Sequence, residues 1–330
     1  MAIHEHLTEF AGLPVVDYTP GCFDDRDARI RAAFADPGTA AWRLRAWYAE
    51  QKTFAAYVSD FTDQVDAARV TALIMGEWLG RGGPEDSGAD GVRDLLIAQA
   101  DRFPALRSLF LGEFVMEEAE ISWIRQTDVA PLLAAFPRLE EFVVRGGSGL
   151  EFPATRHGSL RRLTVQTGGL PRGPVAGITA SDLPALEHLE LWLGVEGYGR
   201  STEVDDLDRL LSGGAFPRLR SLGLRNAEHT DDLVRALAEA PLLDRLEVLD
   251  LSLGTLSDAG AEVIAQTPAF RRLRRLDLHH HYLSEEGQER LRAALPGVDL
   301  DLDDRREPDE FDPADDDPEY FRHGYPAVTE

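Results

Sequence analysis

Two stretches of this chain can be laid over one another leucine for leucine: "LRRLDLHHHYLSEEG" from Leu273 and "LEVLDLSLGTLSDAG" from Leu246. Leu273, Leu276, Leu278 and Leu283 fall on Leu246, Leu249, Leu251 and Leu256. The same L-x-x-L-x-L frame returns as "LRSLGLRNA" from Leu219, "LEHLELWLG" from Leu186, "LRRLTVQTG" from Leu160, "LEEFVVRGG" from Leu139 and "LRSLFLGEF" from Leu106. Weaker copies begin at Val70, Ala41 and Leu295, and "LPVVDYTPG" from Leu13 reads as a degenerate first cap. The eight intervals from Ala41 to Leu273 average 29 residues. A unit of that size cannot bury its own apolar side, so its leucines find a core only by stacking on the next unit.

Each unit is expected to hold a short strand and then a helix. "TEVDDLDRLLSG", "HTDDLVRALAEAP", "SDAGAEVIAQTP" and "SEEGQERLRAALP" open with Ser, Thr or acidic caps and carry apolar residues at helical spacing. "FPATRHGSL" is too short for a full helix and predicts a tight turn. "RGGSGL" and "TGGLP" lack the G-x-x-x-x-G-K-[ST] spacing of a phosphate loop and fall at strand exits, where they predict turns.

From about Ala41 to Asp303 the frame resembles a leucine-rich repeat protein of the ribonuclease-inhibitor type, with "LSDAGA" from Leu256 after the strand. The whole chain also resembles an uncharacterised family of bacterial cytoplasmic leucine-rich repeat proteins, most closely in "ISWIRQTDVAPLL", "LEHLELWLG" and "LDLHHHYLS". The resemblance implies an α/β solenoid: a curved parallel sheet inside, helices outside. Residues 1–40 would be an N-terminal cap, 41–303 a solenoid of about ten units and 304–330 an acidic tail. The ninth position, usually Asn or Cys, holds Gly147, Gly168, Gly194, Ala227, Gly254 and His281, so a continuous asparagine ladder is not expected.

Side chains at one repeat position line up across neighbouring strands. The fifth-position row reads Arg45, Ile74, Phe110, Val143, Thr164, Glu190, Gly223, Asp250, Asp277 and Asp299. The seventh reads Trp47, Gly76, Gly112, Arg145, Gln166, Trp192, Arg225, Ser252, His279 and Asp301. The concave face is therefore expected to be apolar around Ile74, Phe110 and Val143, then acidic from Glu190 onward. Trp192 with Arg225 and Asn226 makes an aromatic and arginine grouping suited to anchoring a partner. Glu190, Asp250, Asp277 and His279 complete the candidate binding set. Trp123, in the irregular "EISWIRQTD" insertion, is read as a core plug.

Three consecutive histidines, His279 to His281, invite the thought of a metal site. Alternation along a strand sends successive side chains to opposite faces, so the three are not expected to share an ion. Asp250, Asp277 and His279 do share a face, which leaves a metal-dependent or acid/base enzyme as the alternative to a binding scaffold. The favoured reading has no catalytic residue, metal or cofactor.

The formal charge of -25 provides no basic field for nucleic acid or an anionic membrane and favours a basic protein or peptide. Lys52 is the only lysine and Cys22 the only cysteine, which excludes an internal disulfide and fits a reducing cytoplasm. The first residues show no signal-peptide pattern, and no apolar run approaches membrane-spanning length. Residues 301–330 hold 12 acidic side chains and 3 arginines, the composition of a flexible tail. Its aromatic end, Glu319 to Val328, is expected to fold back onto the apolar stripe, with Tyr320, Phe321 and Tyr325 buried there and the acidic linker near Arg43, Arg45 and Arg145.

Overall fold

The computed structural model describes residues 3–20, 27–45, 53–78, 88–307 and 324–329. Within them every copy of the leucine frame has become a strand. β1 (Glu9–Phe10), β2 (Leu13–Asp17), β3 (Ala41–Leu44), β4 (Ala72–Gly76), β5 (Ser108–Glu113) and β6 (Glu141–Arg145) form the first half of one sheet. β7 (Arg162–Gln166), β8 (His188–Gly194), β9 (Ser221–Ala227), β10 (Val248–Asp250), β11 (Arg275–Asp277) and β12 (Asp299–Asp301) form the second. The twelve strands lie side by side in chain order. All neighbours are parallel except β1 and β2, which make an antiparallel hairpin. Its two-residue turn, Ala11 and Gly12, has φ of 54° and 72°, the left-handed pair that a tight hairpin demands.

Register follows the leucines. Leu222, Leu249 and Leu276 pair across β9, β10 and β11, and all three are fully buried. Behind them lie the connecting helices, α1 (Ala28–Ala35), α2 (Phe54–Gln64), α3 (Ala89–Ala98), α4 (Ala130–Ala135), α5 (Arg172–Ala180), α6 (Asp208–Leu211), α7 (Thr230–Glu239), α8 (Asp258–Gln266) and α9 (Glu285–Ala294). Leu233, Val234 and Leu237 of α7 recur at i, i+1 and i+4 and are buried in the same core as the strand leucines.

The helix starts also tie one unit to the next. Ser257 and Ser284 cap α8 and α9 by accepting from Ala259 N and Gly287 N. Their backbone N–H groups in turn donate to the first-turn carboxylates of the preceding units, Ser257 to Asp231 at 3.0 Å and Ser284 to Asp258 at 2.9 Å. An aspartate at a helix N-terminus thus serves both its own helix dipole and the next unit's cap. The connection between β6 and β7 has no helix, as its length predicts. There His157 fills the gap: Nε2 donates to Phe136 O (3.1 Å) and Nδ1 accepts from Leu160 N (3.0 Å). The α6 region differs from expectation, because a 3-10 stretch, Val204–Leu207, takes the first turn and leaves a single α turn. No helix of the described residues is long and apolar enough to cross a membrane.

Candidate binding face

The open face of the sheet, opposite the helices, carries the third, fifth and seventh positions of each unit. The expected fifth-position row holds for the eight units between Ile74 and Asp277 and shifts by two residues at both edges, whereas the seventh-position row is broken where Gly76 pairs with Glu113 instead of Gly112. Arg43, not Arg45, pairs with Ile74, and Asp301, not Asp299, pairs with Asp277. A slip of two preserves the face, so the leucine pattern alone could not detect it. Trp47 lies outside the described residues.

The apolar stripe is not open. Ile74, Phe110 and Val143 are buried, in one cluster with Phe10, Ala41 and Ala72. The N-terminal hairpin turns across the sheet and lays Phe10 against Phe110, with ring centroids 5.9 Å apart, while Leu7, Leu13 and Val15 close the edges. Arg145 covers the other side of Phe110 at 5.1 Å. The three residues are therefore core, not an exposed contact surface. An apolar stripe left in water is costly, and the chain itself covers it.

Polar groups fix that cover. His6 Nδ1 lies 2.9 Å from Glu113 Oε2 and its Nε2 3.2 Å from Glu118 Oε1, and Leu7 N donates to Glu113 Oε1 at 2.8 Å. Burial alone would lower the His6 pKa, but hydrogen bonds and charge from Glu113 and Glu118 raise it to about 9. A neutral His6 would instead accept from Arg45 Nη1, 2.6 Å away; two carboxylates outweigh one guanidinium. Arg43 makes a bidentate pair with Asp17, 2.8 Å for each bond, and reaches Glu113 at 3.4 Å. Arg43, Arg45 and the buried Arg145 are thus engaged by Asp17, Glu113, Glu118, Gln166 and the Phe114 carbonyl, and most of the acidic linker expected near them lies outside the described residues. Sequence reading missed this cluster because His6 and Glu113 are 107 residues apart and share no motif.

Further along, the candidate anchor residues hold one another. Trp192 Nε1 donates to Glu190 Oε1 at 2.6 Å, and the Arg225 guanidinium lies 5.2 Å from the Trp192 ring centroid. Arg225 also pairs with Glu190 at 3.2 Å and Asp250 at 3.3 Å. Burial would raise the Glu190 pKa, yet the His188 hydrogen bond, the Arg225 charge and the indole hold it down to about 2. Asp250 goes the other way: burial raises its pKa, against Arg225 and Ser252. Trp192 is only 6% exposed, so it packs more than it projects.

At the C-terminal end Asp277 takes His279 Nδ1 at 2.7 Å and Arg275 Nη2 at 2.9 Å. Burial would raise the Asp277 pKa; these partners hold it well below the carboxylate range. The hydrogen bond to Asp277 raises that of His279, against burial. Asp277, His279 and Asp301 offer ligand atoms within 4.8 Å of one another, a donor set chemically suited to a divalent ion. Arg275 already lies between the two carboxylates, 3.1 Å from Asp301.

The histidine run separates three ways. His279 faces Asp277. His280, buried by the fold and with its pKa lowered by that burial, has Nε2 3.1 Å from Tyr325 O and accepts from Arg306 Nε at 3.2 Å. His281 bridges Leu302 O (Nε2, 3.0 Å) and Leu283 N (Nδ1, 3.1 Å), as His157 does in its own unit.

Asn226 does not belong to the open face at all. It occupies the strand exit at φ 53°, fully buried, and its amide meets the chain's C-terminal segment. Residues 324–329 run back along the strand exits from β11 towards β7. Ala327 N donates to Leu253 O (2.8 Å), Val328 N to Asn226 Oδ1 (2.8 Å), and Ser122 Oγ donates to Thr329 O (2.5 Å). The described part of the fold-back, residues 324–329, is therefore at the strand-exit rim and not on the Ile74–Phe110–Val143 stripe. Tyr325 contacts Tyr282, and Tyr320 and Phe321 lie outside the described residues. Trp123, expected as a core plug, is 71% exposed and follows Ser122 in the chain.

No protein-family profile and no curated protein matches the chain. Solved structures do. A Bacteroides fragilis protein is similar over 78% of this chain and 72% of its own, at 30% identity and a TM-score of 0.72. An internalin from Listeria monocytogenes shares 14% identity over 82% of this chain and 68% of its own, at a TM-score of 0.37. By its identity and coverage, the chain belongs to the same family as the Bacteroides fragilis protein.

Proposed function

We propose that the chain is a non-enzymatic leucine-rich repeat scaffold that holds a basic protein or peptide on the C-terminal half of its concave face. In this reading residues 1–40 cap the array, 41–303 are its repeats and the reducing cytoplasm is its compartment. The observation that carries it is charge on one continuous surface. Glu190, Asp250, Asp277, Asp299 and Asp301 stand on four of the last five strands, against the guanidiniums of Arg225 and Arg275. Asp299 is the most open of them, with 68% of its side chain exposed. Five carboxylates outnumber the two guanidiniums and the His279 imidazole beside them, and such a surplus attracts positive charge and speeds encounter at low salt. Site residues that are locked in ion pairs resist collapse and give a preformed surface.

The test uses the full chain and a fluorescein-labelled nona-arginine peptide in stopped flow. Association should slow as salt rises, and Asp299→Asn with Asp301→Asn should reduce the association rate several-fold. An affinity indifferent to both salt and the double substitution would exclude this face. A second reading rests on the proximity of Asp277, His279 and Asp301: a divalent ion there would support metal-dependent chemistry. Stoichiometric zinc or manganese bound by untagged protein and lost in His279→Ala would favour it.

A further inference from the structure

Among the described residues, the hydrogen bonds that join the C-terminal segment to Tyr282, His280, Leu253, Asn226 and Ser122 share one property: on the segment's side they use main-chain atoms. Tyr325 N donates to Tyr282 Oη at 2.8 Å, and Tyr325 O accepts from Tyr282 Oη (2.8 Å) and His280 Nε2 (3.1 Å). Ala327 N and Val328 N are taken by Leu253 O and Asn226 Oδ1, and Val328 O accepts from Asn226 Nδ2. The Ala327 and Val328 side chains are 5% and 4% exposed and join the main apolar core cluster. Gly168 lets the end of the segment approach, because a Cβ there would lie 2.2 Å from Ser122 Oγ and 2.5 Å from Thr329 O.

Main-chain hydrogen bonds together with pockets for small side chains are one way a protein surface binds a peptide segment. We propose that the strand-exit rim between Tyr282 and Ser122 is a peptide-binding groove. It accepts, from another molecule, a segment held through its backbone that has two small apolar residues after a Tyr-Pro pair, and residues 324–329 are its occupant in cis. The groove is separate from the acidic row of the concave face and stands whether or not that row binds a partner. Recognition through the backbone does not require this chain's own segment; the buried pair supplies selectivity. Covalent attachment gives the cis segment an effective concentration of about 1 mM, so it outcompetes a free peptide of equal contacts. An incoming partner must therefore arrive at high local concentration or bring further contacts; exposed Trp123 follows Ser122, a residue of the rim, in the chain.

The experiment keeps the full chain and empties the groove by substitution in the tail. Val328→Asp and Ala327→Pro are made separately. The first places a charge in a buried pocket; the second removes the donor to Leu253 O. The probe is the labelled peptide Gly-Tyr-Pro-Ala-Val-Thr-Glu, followed by fluorescence anisotropy. Either variant should bind it saturably, at least about tenfold tighter than the unmodified chain. Adding Tyr282→Phe or Asn226→Gly should weaken that binding at least tenfold, and a peptide with Asp for Val should fail. Absence of saturable binding to a variant that melts cooperatively would overturn the proposal. So would equal affinity for the unmodified chain, or for the Asn226→Gly form. Amide exchange of the unmodified chain supplies the remaining control, since Ala327 and Val328 amides exchanging at the random-coil rate would show the groove has no cis occupant.

Discussion

Asn226 grips the backbone of Val328 with both atoms of its side-chain amide: Oδ1 accepts from Val328 N at 2.8 Å and Nδ2 donates to Val328 O. The two residues are 102 apart in the chain and both are buried. Asn226 also stands at φ 53°, a conformation glycine tolerates and alanine does not. Asn226→Gly and Asn226→Ala should each cost about 1–3 kcal/mol from the buried Val328 groups left without partners. Alanine should lose about 1 kcal/mol more through backbone strain. Chemical denaturation should therefore rank glycine above alanine, the reverse of the usual order. Alanine equal to or above glycine would show that the left-handed backbone is not what selects asparagine.

Leu249 and Leu276 face each other across β10 and β11 with no exposed surface. Leu249→Asp or Leu276→Asp buries a carboxylate with no partner, which is among the few changes that cost more than about 4 kcal/mol. Either variant should lose its cooperative melt or show a midpoint lowered by more than 10 °C, on the order expected for such a loss. A melt within a degree of the parent would put the leucine register in error.

The repeat frame made the sheet legible because apolar spacing is a local signal: strand order, the fifth-position register from Ile74 to Asp277 and the Ser257 and Ser284 caps follow from residues within one unit of each other. By contrast α7, expected to open with a capping side chain, has His229 at its N-cap and no side-chain cap bond. Contacts made by the two termini left no such trace. Phe10 on Phe110, His6 between Glu113 and Glu118, and Asn226 on Val328 each join segments more than 90 residues apart, and no periodicity records them. The candidate site suffers most from this, because burial of Ile74, Phe110 and Val143 depends on a cap that the repeat does not encode.

Two tryptophans show the same limit in reverse. Trp192 reads as an exposed anchor and Trp123 as a core plug, yet they are 6% and 71% exposed. Trp192→Ala would remove a packed ring and strip Glu190 of its indole donor, so it should cost about 3 kcal/mol. Trp123→Ala should stay within about 0.5 kcal/mol. Urea titration of the two variants checks the order, and a Trp123 variant as unstable as the Trp192 one would contradict their placement.

The N-terminal cover should loosen in alkali. A histidine whose folded pKa is raised is stabilised by its proton, so the contribution is complete below the unfolded value near 6.5 and is lost as pH rises through about 9. The groups facing His6 are Glu113, Glu118 and Arg45, with Arg43 and Asp17 behind them. Arg145, its pKa lowered by burial to about 10, also borders the cover, so His6 accounts for the part of the change centred near 9. Exchange protection of the Leu7 amide, which donates to Glu113, should fall between pH 7 and 10, after correction for intrinsic exchange. His6→Gln should abolish that part of the pH dependence. A profile unchanged by the substitution would assign it elsewhere.

Phe10 decides whether the cover is part of the fold or an appendage. Its ring closes over Ala41, Ala72, Ile74, Phe110 and Val143, and these residues have no other common roof among the described residues than the hairpin and Arg145. Phe10→Ala removes the largest apolar group of that roof. The loss should be about 2–3 kcal/mol, below the range for a phenylalanine deep in a core because water can reach the gap from the sheet edge. Phe10→Leu should recover about half of it, since leucine restores most of the volume without the ring contact to Phe110. If the hairpin detaches locally, the Ile74–Phe110–Val143 stripe becomes a patch that binds a hydrophobic dye such as ANS, at a denaturant concentration well below global unfolding. If hairpin and repeats unfold together, dye binding and loss of helix coincide at one midpoint. A Phe10→Ala chain as stable as the parent, with no dye binding, would mean that something other than the hairpin covers the stripe.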